Sequence, residues 1–208
     1  SLAKNYFEQG EYEKAISIYN KLYDKTPGRL DYLKALVDSY QQLENFEEAE
    51  NLLTEKINSK RVIPQLYVDL GYNYSLQNKE AEAEKNYNLA IEAAKEQPNY
   101  SYSIGYSFEN YGLLDYAILV YENTMKINSG IDFNVQLARI YGEQGKLEEM
   151  FLKYVNLIEK NPSEKGIAQH NFNLYITEDS NNEANSVLRK ILLQKLQTEP
   201  NILYNELL

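Results

Sequence analysis

Apolar positions recur along this chain with a helical period and are interrupted at regular intervals. Within residues 10–27, GEYEKAISIYNKLYDKTP, Ala15, Tyr19 and Leu22 fall at i, i+4 and i+7, which is one face of a helix. Gly10 ahead of that face supplies the positive φ that a tight helix-to-helix turn takes. Pro27 behind it cannot continue a helix interior. The same face then returns: Ala49, Ala83 and Ala117 follow Ala15 at steps of 34 residues. Met150 comes 33 residues after Ala117, and Ala184 comes 34 after Met150. A period of this length marks a chain built by repeating one supersecondary unit.

Each unit reads as two amphipathic helices, A and B. The A stripes are Ala3, Tyr6 and Phe7; Leu33, Leu36, Val37 and Tyr40; Tyr67, Leu70, Gly71 and Tyr74, after a Pro64 that suits a helix start; Ile104, Gly105 and Phe108; and Leu137, Ala138 and Tyr141. The B stripes run through Ala15, Ala49, Ala83, Ala117 and Met150, followed by apolar residues such as Leu53, Tyr87, Tyr121 and Tyr154. This predicts one array over 1–208 with units near 1–29, 30–63, 64–97, 98–130 and 131–163. A degenerate sixth unit covers 164–200, with helices expected over 164–177 and 182–197 and Asn181 or Asn182 as N-cap. Residues 201–208 begin a further helix that the sequence cuts short. The turn position between A and B is Gly10, Asn78, Gly112 or Gly145, all tolerant of positive φ. Glu44 is the exception, where strain or a different turn is expected.

These residues resemble the tetratricopeptide repeat. In that family a small residue and an aromatic on helix A pack around a small residue on helix B. Here the small A residue is Ala3, Val37, Gly71, Gly105 or Ala138. Its aromatic partner three residues on is Tyr6, Tyr40, Tyr74, Phe108 or Tyr141. The resemblance covers residues 1 to 162 or so, and Phe172 in the small-residue slot weakens it beyond. It implies an all-α, right-handed solenoid of antiparallel helix pairs. Small residues let the helix axes approach, the aromatic fills the groove beside them, and each unit needs neighbours to bury its faces. Both ends read as cut inside a repeat, so a fragment of a longer protein is expected.

Composition narrows the chemistry. Lys and Arg number 21 against 31 Asp and Glu, a net charge of −10. With no basic cluster to offset it, that balance repels phosphate backbones and argues against a nucleic-acid partner. No apolar run approaches the roughly 20 residues that span a bilayer. Cysteine is absent, which removes disulfides and thiolate metal sites. His170 is the single histidine, so no histidine pair can hold a metal and no dyad has a nearby serine; it reads as a helix-surface or half-buried imidazole. Glu47–Glu48 and Glu148–Glu149 open B helices, where they complement the helix dipole. The glycines are scattered, with no phosphate-cradling loop. Asn73-Tyr74-Ser75 and Asn99-Tyr100-Ser101 match the glycosylation triplet, the first inside a predicted helix; both read as chance. No catalytic residue, cofactor site or metal site is expected. The abundant Asn, Lys, Ile and Tyr with little Arg resembles bacterial family members from AT-rich genomes, many of them exported, so the expected compartment leans to the periplasm, with the cytoplasm as the alternative.

Tyrosine is over-used, at 20 residues, and the repeat stripe absorbs only part of the supply. The family resemblance implies a concave face lined by A helices, at positions beside the small residue but off the packing stripe. Carried over, that face holds Lys4, Lys34, Asp38, Asp69, Tyr72, Tyr102, Tyr106 and Arg139. Tyr72 and Tyr106 are 34 residues apart and so equivalent, and Tyr102 is one turn before Tyr106. A ladder of exposed tyrosines with acids nearby suits a basic or neutral peptide segment. The charge set of the family's carboxylate-clamping members is not reproduced. Three functions stay open: a non-enzymatic scaffold holding a partner segment in this groove, an assembly element, and a helper domain of an enzyme whose catalytic part lies elsewhere. Self-association is expected through an uncovered apolar edge at Ile202, Leu203, Leu207 and Leu208.

Overall fold

The computed structural model describes residues 1–61, 63–179, 181–198 and 202–207. Among them all regular structure is helical, and the chain divides into two compact units, Ser1–Val120 and Tyr121–Leu208. The helices are α1 (Leu2–Glu8), α2 (Tyr12–Lys25), α3 (Leu30–Gln42), α4 (Phe46–Ile57), α5 (Leu66–Ser75), α6 (Glu80–Glu96), α7 (Ser101–Asn110) and α8 (Leu114–Ile127). They continue with α9 (Asn134–Glu143), α10 (Leu147–Lys160), α11 (Lys165–Phe172), α12 (Glu183–Thr198) and α13 (Ile202–Leu207). Pro98 and Pro162 open single 3₁₀ turns that lead into α7 and α11. Pro200 and Leu208 lie outside the described residues.

One turn geometry closes five A helices onto their B helices. Gly10, Glu44, Asn78, Gly112 and Gly145 all take φ between 58° and 76°. At each, the next residue's N–H donates to the carbonyl five residues back: Glu11 to Tyr6 (2.9 Å), Asn45 to Tyr40 (2.9 Å), Lys79 to Tyr74 (3.1 Å), Leu113 to Phe108 (2.9 Å) and Lys146 to Tyr141 (2.9 Å). The acceptor is the aromatic of the A stripe every time, so the residue that packs the pair also anchors its turn through a Schellman-type bond. Glu44 therefore makes the same turn as its glycine counterparts and carries the steric cost of a Cβ at positive φ, on the order of 1–2 kcal/mol.

Packing follows the 34-residue register. In the first unit Ala3, Ala15, Ala49, Ala83 and Ala117 are all 0–1% exposed. At Gly71 a Cβ would stand 2.6 Å from Cδ1 of the Tyr87 ring and 3.0 Å from the Ala83 carbonyl oxygen, so α5 and α6 meet at a distance only glycine permits. α3 shows how neighbouring pairs share a helix: Leu36 packs with Ala3, Ala15 and Tyr19, whereas Leu33 and Val37 pack with Ala49, Leu53, Leu66 and Leu70. Each such leucine, fully buried, contributes about 1.5–3 kcal/mol relative to exposure. A polar clasp crosses the same junction. Gln41 Nε2 donates to Asn73 Oδ1 (3.1 Å) and Asn73 Nδ2 donates to the Phe46 carbonyl (3.0 Å). Asn73 is fully buried, so the first glycosylation triplet is a structural amide in the fold.

The second unit keeps Met150, Ala138 and Ala184 in its core with Phe151, Tyr154, Phe172 and Leu188. Its last A helix departs from the expected 164–177: α11 ends at Phe172. Asn185 accounts for the difference, because its Nδ2 donates to the Thr177 carbonyl (2.7 Å) and its Oδ1 accepts from the Thr177 N–H (3.0 Å), drawing that strip of backbone away from a helix. Asn182 caps α12 through the Asn185 N–H at 3.0 Å. The expected apolar edge on α13 is reduced. Tyr204 is buried with its hydroxyl donating to Glu159, and Leu207 packs against the core, because both sit on the face that meets the rest of the unit. Ile202 is 76% exposed; the side chain of Leu203 lies outside the described residues.

Candidate functional site

The residues expected to line the A-helix face divide between the two units. Lys4 on α1, Lys34 and Asp38 on α3, Asp69 and Tyr72 on α5, and Tyr102 and Tyr106 on α7 belong to the first. Arg139, exposed on α9, belongs to the second, where its charge bears on Tyr154. Lys4 is exposed and pairs with Glu8 one turn on, at 3.6 Å. His170 is exposed on α11.

Three successive A helices converge on one charged cluster. Asp69 is only 5% exposed, and its Oδ1 accepts from the Tyr111 hydroxyl at 2.6 Å and lies 3.5 Å from Lys34 Nζ. The ammonium of Lys34 also stands 4.9 Å from the centre of the Tyr111 ring, a cation–π distance. Tyr72 stacks on the other partner of that contact: the Tyr72 and Tyr111 rings are 4.0 Å apart and within 16° of parallel. Asp69 was expected on an open surface. It is instead the buried hub of the cluster, held there because Lys34 and Tyr111 replace the water its carboxylate gives up. Tyr72 is likewise half-buried, since its face is spent on Tyr111.

Burial dominates the electrostatics. It raises the Asp69 carboxyl above its ordinary value, opposed by the Lys34 charge and the hydrogen bonds from Tyr111 and Lys34. Burial and the neighbouring Asp69 carboxylate push the Tyr111 phenol up as well. Asp38 is pushed up to about 6, first by burial and then by Asp69, with Lys34 acting in the other direction. One ammonium thus faces two carboxylates, and it is committed to the more buried of them. Among the described residues no hydrogen bond or ion pair reaches the Asp38 side chain, which stays partly open to solvent.

Tyr102 and Tyr106 remain outward, 53% and 46% exposed, with rings 6.1 Å apart and 7° from parallel. They form a flat aromatic pair on α7, large in apolar area and low in rotamer entropy. Tyr111 is the participant that repeat logic overlooked. Its counterparts one and two units earlier are Gln77 and Leu43, so it belongs to no stripe. An aromatic at a position where the other units carry none was the available signal. Among the described residues no group of three or more His, Cys, Asp and Glu is placed to hold a metal ion, and no helix is long and apolar enough to cross a membrane.

Helix pairs joined by one turn geometry and packed at 34-residue intervals define a helical-repeat protein. Two family models, both described as tetratricopeptide repeat, match residues 6–55 and 64–97. The two matched segments, residues 6–55 and 64–97, are tetratricopeptide repeats. Among curated proteins the chain is 32% identical over 95 residues to the protein O-mannosyl-transferase TMTC2 of Homo sapiens; the match covers 44% of this chain and 11% of that protein's length. Solved structures with a similar helical fold include that of MamA, 19% identical, covering 97% of this chain and 98% of that one with a TM-score of 0.39. Another is TTC0263, a thermophilic repeat protein of Thermus thermophilus, 17% identical, covering 77% of this chain and 89% of that one with a TM-score of 0.43.

Proposed function

We propose that this chain is a non-enzymatic scaffold that holds an extended segment of a partner protein against the A helices of its first unit, on α3, α5 and α7. The observation that carries the reading is the outward, near-parallel Tyr102–Tyr106 pair on α7. Exposed tyrosines of this kind supply binding energy through area and a hydroxyl that can meet peptide backbone. Lys34, Asp38 and Tyr72 frame the surface over the buried Asp69; Lys4 lies on α1 of the same unit, and Arg139 belongs to the second unit. With two acids to one lysine, the partner segment is basic or neutral. The test is retention of a protein partner from source-cell extract by the parent and by Tyr102→Ala/Tyr106→Ala. Loss of binding by at least tenfold, with helicity and unfolding midpoint unchanged, is expected; undiminished binding by the folded double variant would overturn the reading.

Two other readings have an observation each. The likeness to part of an O-mannosyl-transferase supports this segment as the repeat portion of an enzyme, to be tested by assaying the full gene product for glycosyl transfer. The exposure of Ile202 on α13 supports self-association, to be tested by sedimentation of Ile202→Glu against the parent.

A further inference from the structure

The charge arrangement of the cluster specifies what a bound segment should carry at one point. Lys34 is the ammonium drawn into it, and its position is accounted for twice over, by Asp69 at 3.5 Å and by the Tyr111 ring at 4.9 Å. Asp69 is accounted for by Lys34 and by the Tyr111 hydroxyl at 2.6 Å. Asp38 on α3 is left over. It lies one turn after Lys34 on α3, within the electrostatic reach of Lys34, Asp69, Tyr111 and Tyr19, yet among the described residues no hydrogen bond or ion pair reaches its side chain, and it is half-buried. A carboxylate in that setting is poorly solvated, repelled by a second carboxylate, and only partly open to solvent. The group that relieves all three conditions is a cation arriving from solvent. A delocalised or weakly hydrated cation suits this neighbourhood, where the Tyr111 ring, stacked on Tyr72, already takes the Lys34 ammonium at 4.9 Å.

We propose that Asp38 is the anchor for one cationic side chain, an arginine or lysine, of the partner protein segment. This deepens the scaffold reading and rests on it. It makes the cluster a specificity determinant: Lys34, Asp69 and Tyr111 form a fixed base, net neutral apart from Asp38, which presents a single acceptor at a defined place. An acidic residue at that point of the segment meets two carboxylates and is rejected, so the same site selects for and against charge. The Tyr102–Tyr106 pair supplies area that is indifferent to sequence, whereas Asp38 supplies register.

The probes are N-acetyl-arginine amide, its neutral isostere N-acetyl-citrulline amide, and N-acetyl-glutamate amide. Binding is followed by NMR at the Asp38 carboxylate carbon and the Tyr111 ring, at pH 7.5 and low ionic strength. The arginine derivative should shift both signals saturably in the millimolar range, with citrulline at least tenfold weaker and glutamate without effect. Asp38→Asn should abolish the arginine response while leaving the amide spectrum of α3 and α5 folded. Equal responses to arginine and citrulline, no response to arginine up to its solubility limit, or an unchanged response in the folded Asp38→Asn variant would each overturn the proposal. The scaffold reading is scored independently by the tyrosine double variant. If that variant loses its partner while arginine fails to bind at Asp38, the groove stands and the anchor falls.

Discussion

Replacing Asp38 by Asn removes a charge the fold does not accommodate well, and the gain should depend on pH in a calculable way. In the folded chain Asp38 is pushed up to about 6 from an ordinary value of 3.8. Between those values the folded state binds more protons than the unfolded one, so parental stability falls as pH rises through this window and stays lowered above it. A difference of about two units corresponds to roughly 3 kcal/mol at most, and partial solvent access reduces what is realised to about 1–2 kcal/mol. Asn has the same shape and no charge to desolvate. Asp38→Asn should therefore stabilise the protein by about 1–2 kcal/mol at pH 7.5 and by close to nothing near pH 4. The charged and titratable groups that interact with Asp38 are Lys34, Asp69, Tyr111 and Tyr19 of α2, and all are retained, so the difference between variant and parent isolates Asp38 from the general acid titration of this chain. Urea unfolding followed by circular dichroism, at constant ionic strength from pH 4 to pH 8, gives the comparison directly. A stability difference that is the same at both ends of the range, or a variant less stable than its parent at pH 7.5, would refute the electrostatic argument.

Other substitutions test other parts of the account. Glu44→Gly should raise stability by about 0.5–1 kcal/mol, since relief of the positive φ outweighs the added freedom of the unfolded chain; thermal unfolding checks it. Gly71→Ala should lower stability by about 1–3 kcal/mol by forcing a Cβ into the Tyr87 ring, and retention of the parental midpoint would show that α5 and α6 are not so close. Asn73→Ala should cost about 2–3 kcal/mol, because Gln41 and the Phe46 carbonyl lose their partner in the interior; the same unfolding assay reads it.

The repeat was legible in the sequence because small residues at fixed spacing have one physical cause, the close approach of helix axes. Ala15, Ala49, Ala83 and Ala117 are all buried where that spacing puts them. Glu44 shows the limit of reading turns by residue type. The carbonyl of Tyr40 and the stripe on either side dictate the turn there, and the local preference of glutamate is overridden. The site was legible by position and illegible by contact. Periodicity places Lys34, Asp38, Asp69 and Tyr72 on one face, but says nothing of which side chains spend their exposure on one another. Asp69 and Tyr72 turn inward because Tyr111, outside every stripe, offers the first a hydroxyl and the second a ring. The shortening of α11 has the same character, since it depends on Asn185 reaching back eight residues to Thr177.

The central claim is that a partner protein lies on the A-helix face of the first unit. Site-specific photo-crosslinking in the source cells tests it most directly, with a photoreactive phenylalanine derivative placed at Tyr106 on α7 and, as a control, at exposed Leu119 on the B helix α8. A discrete protein adduct from position 106, absent from position 119 and lost when Tyr102 is changed to Ala, is the result the account predicts. Adducts from position 119 alone, or adducts of equal yield from both positions that survive Tyr102→Ala, would contradict it.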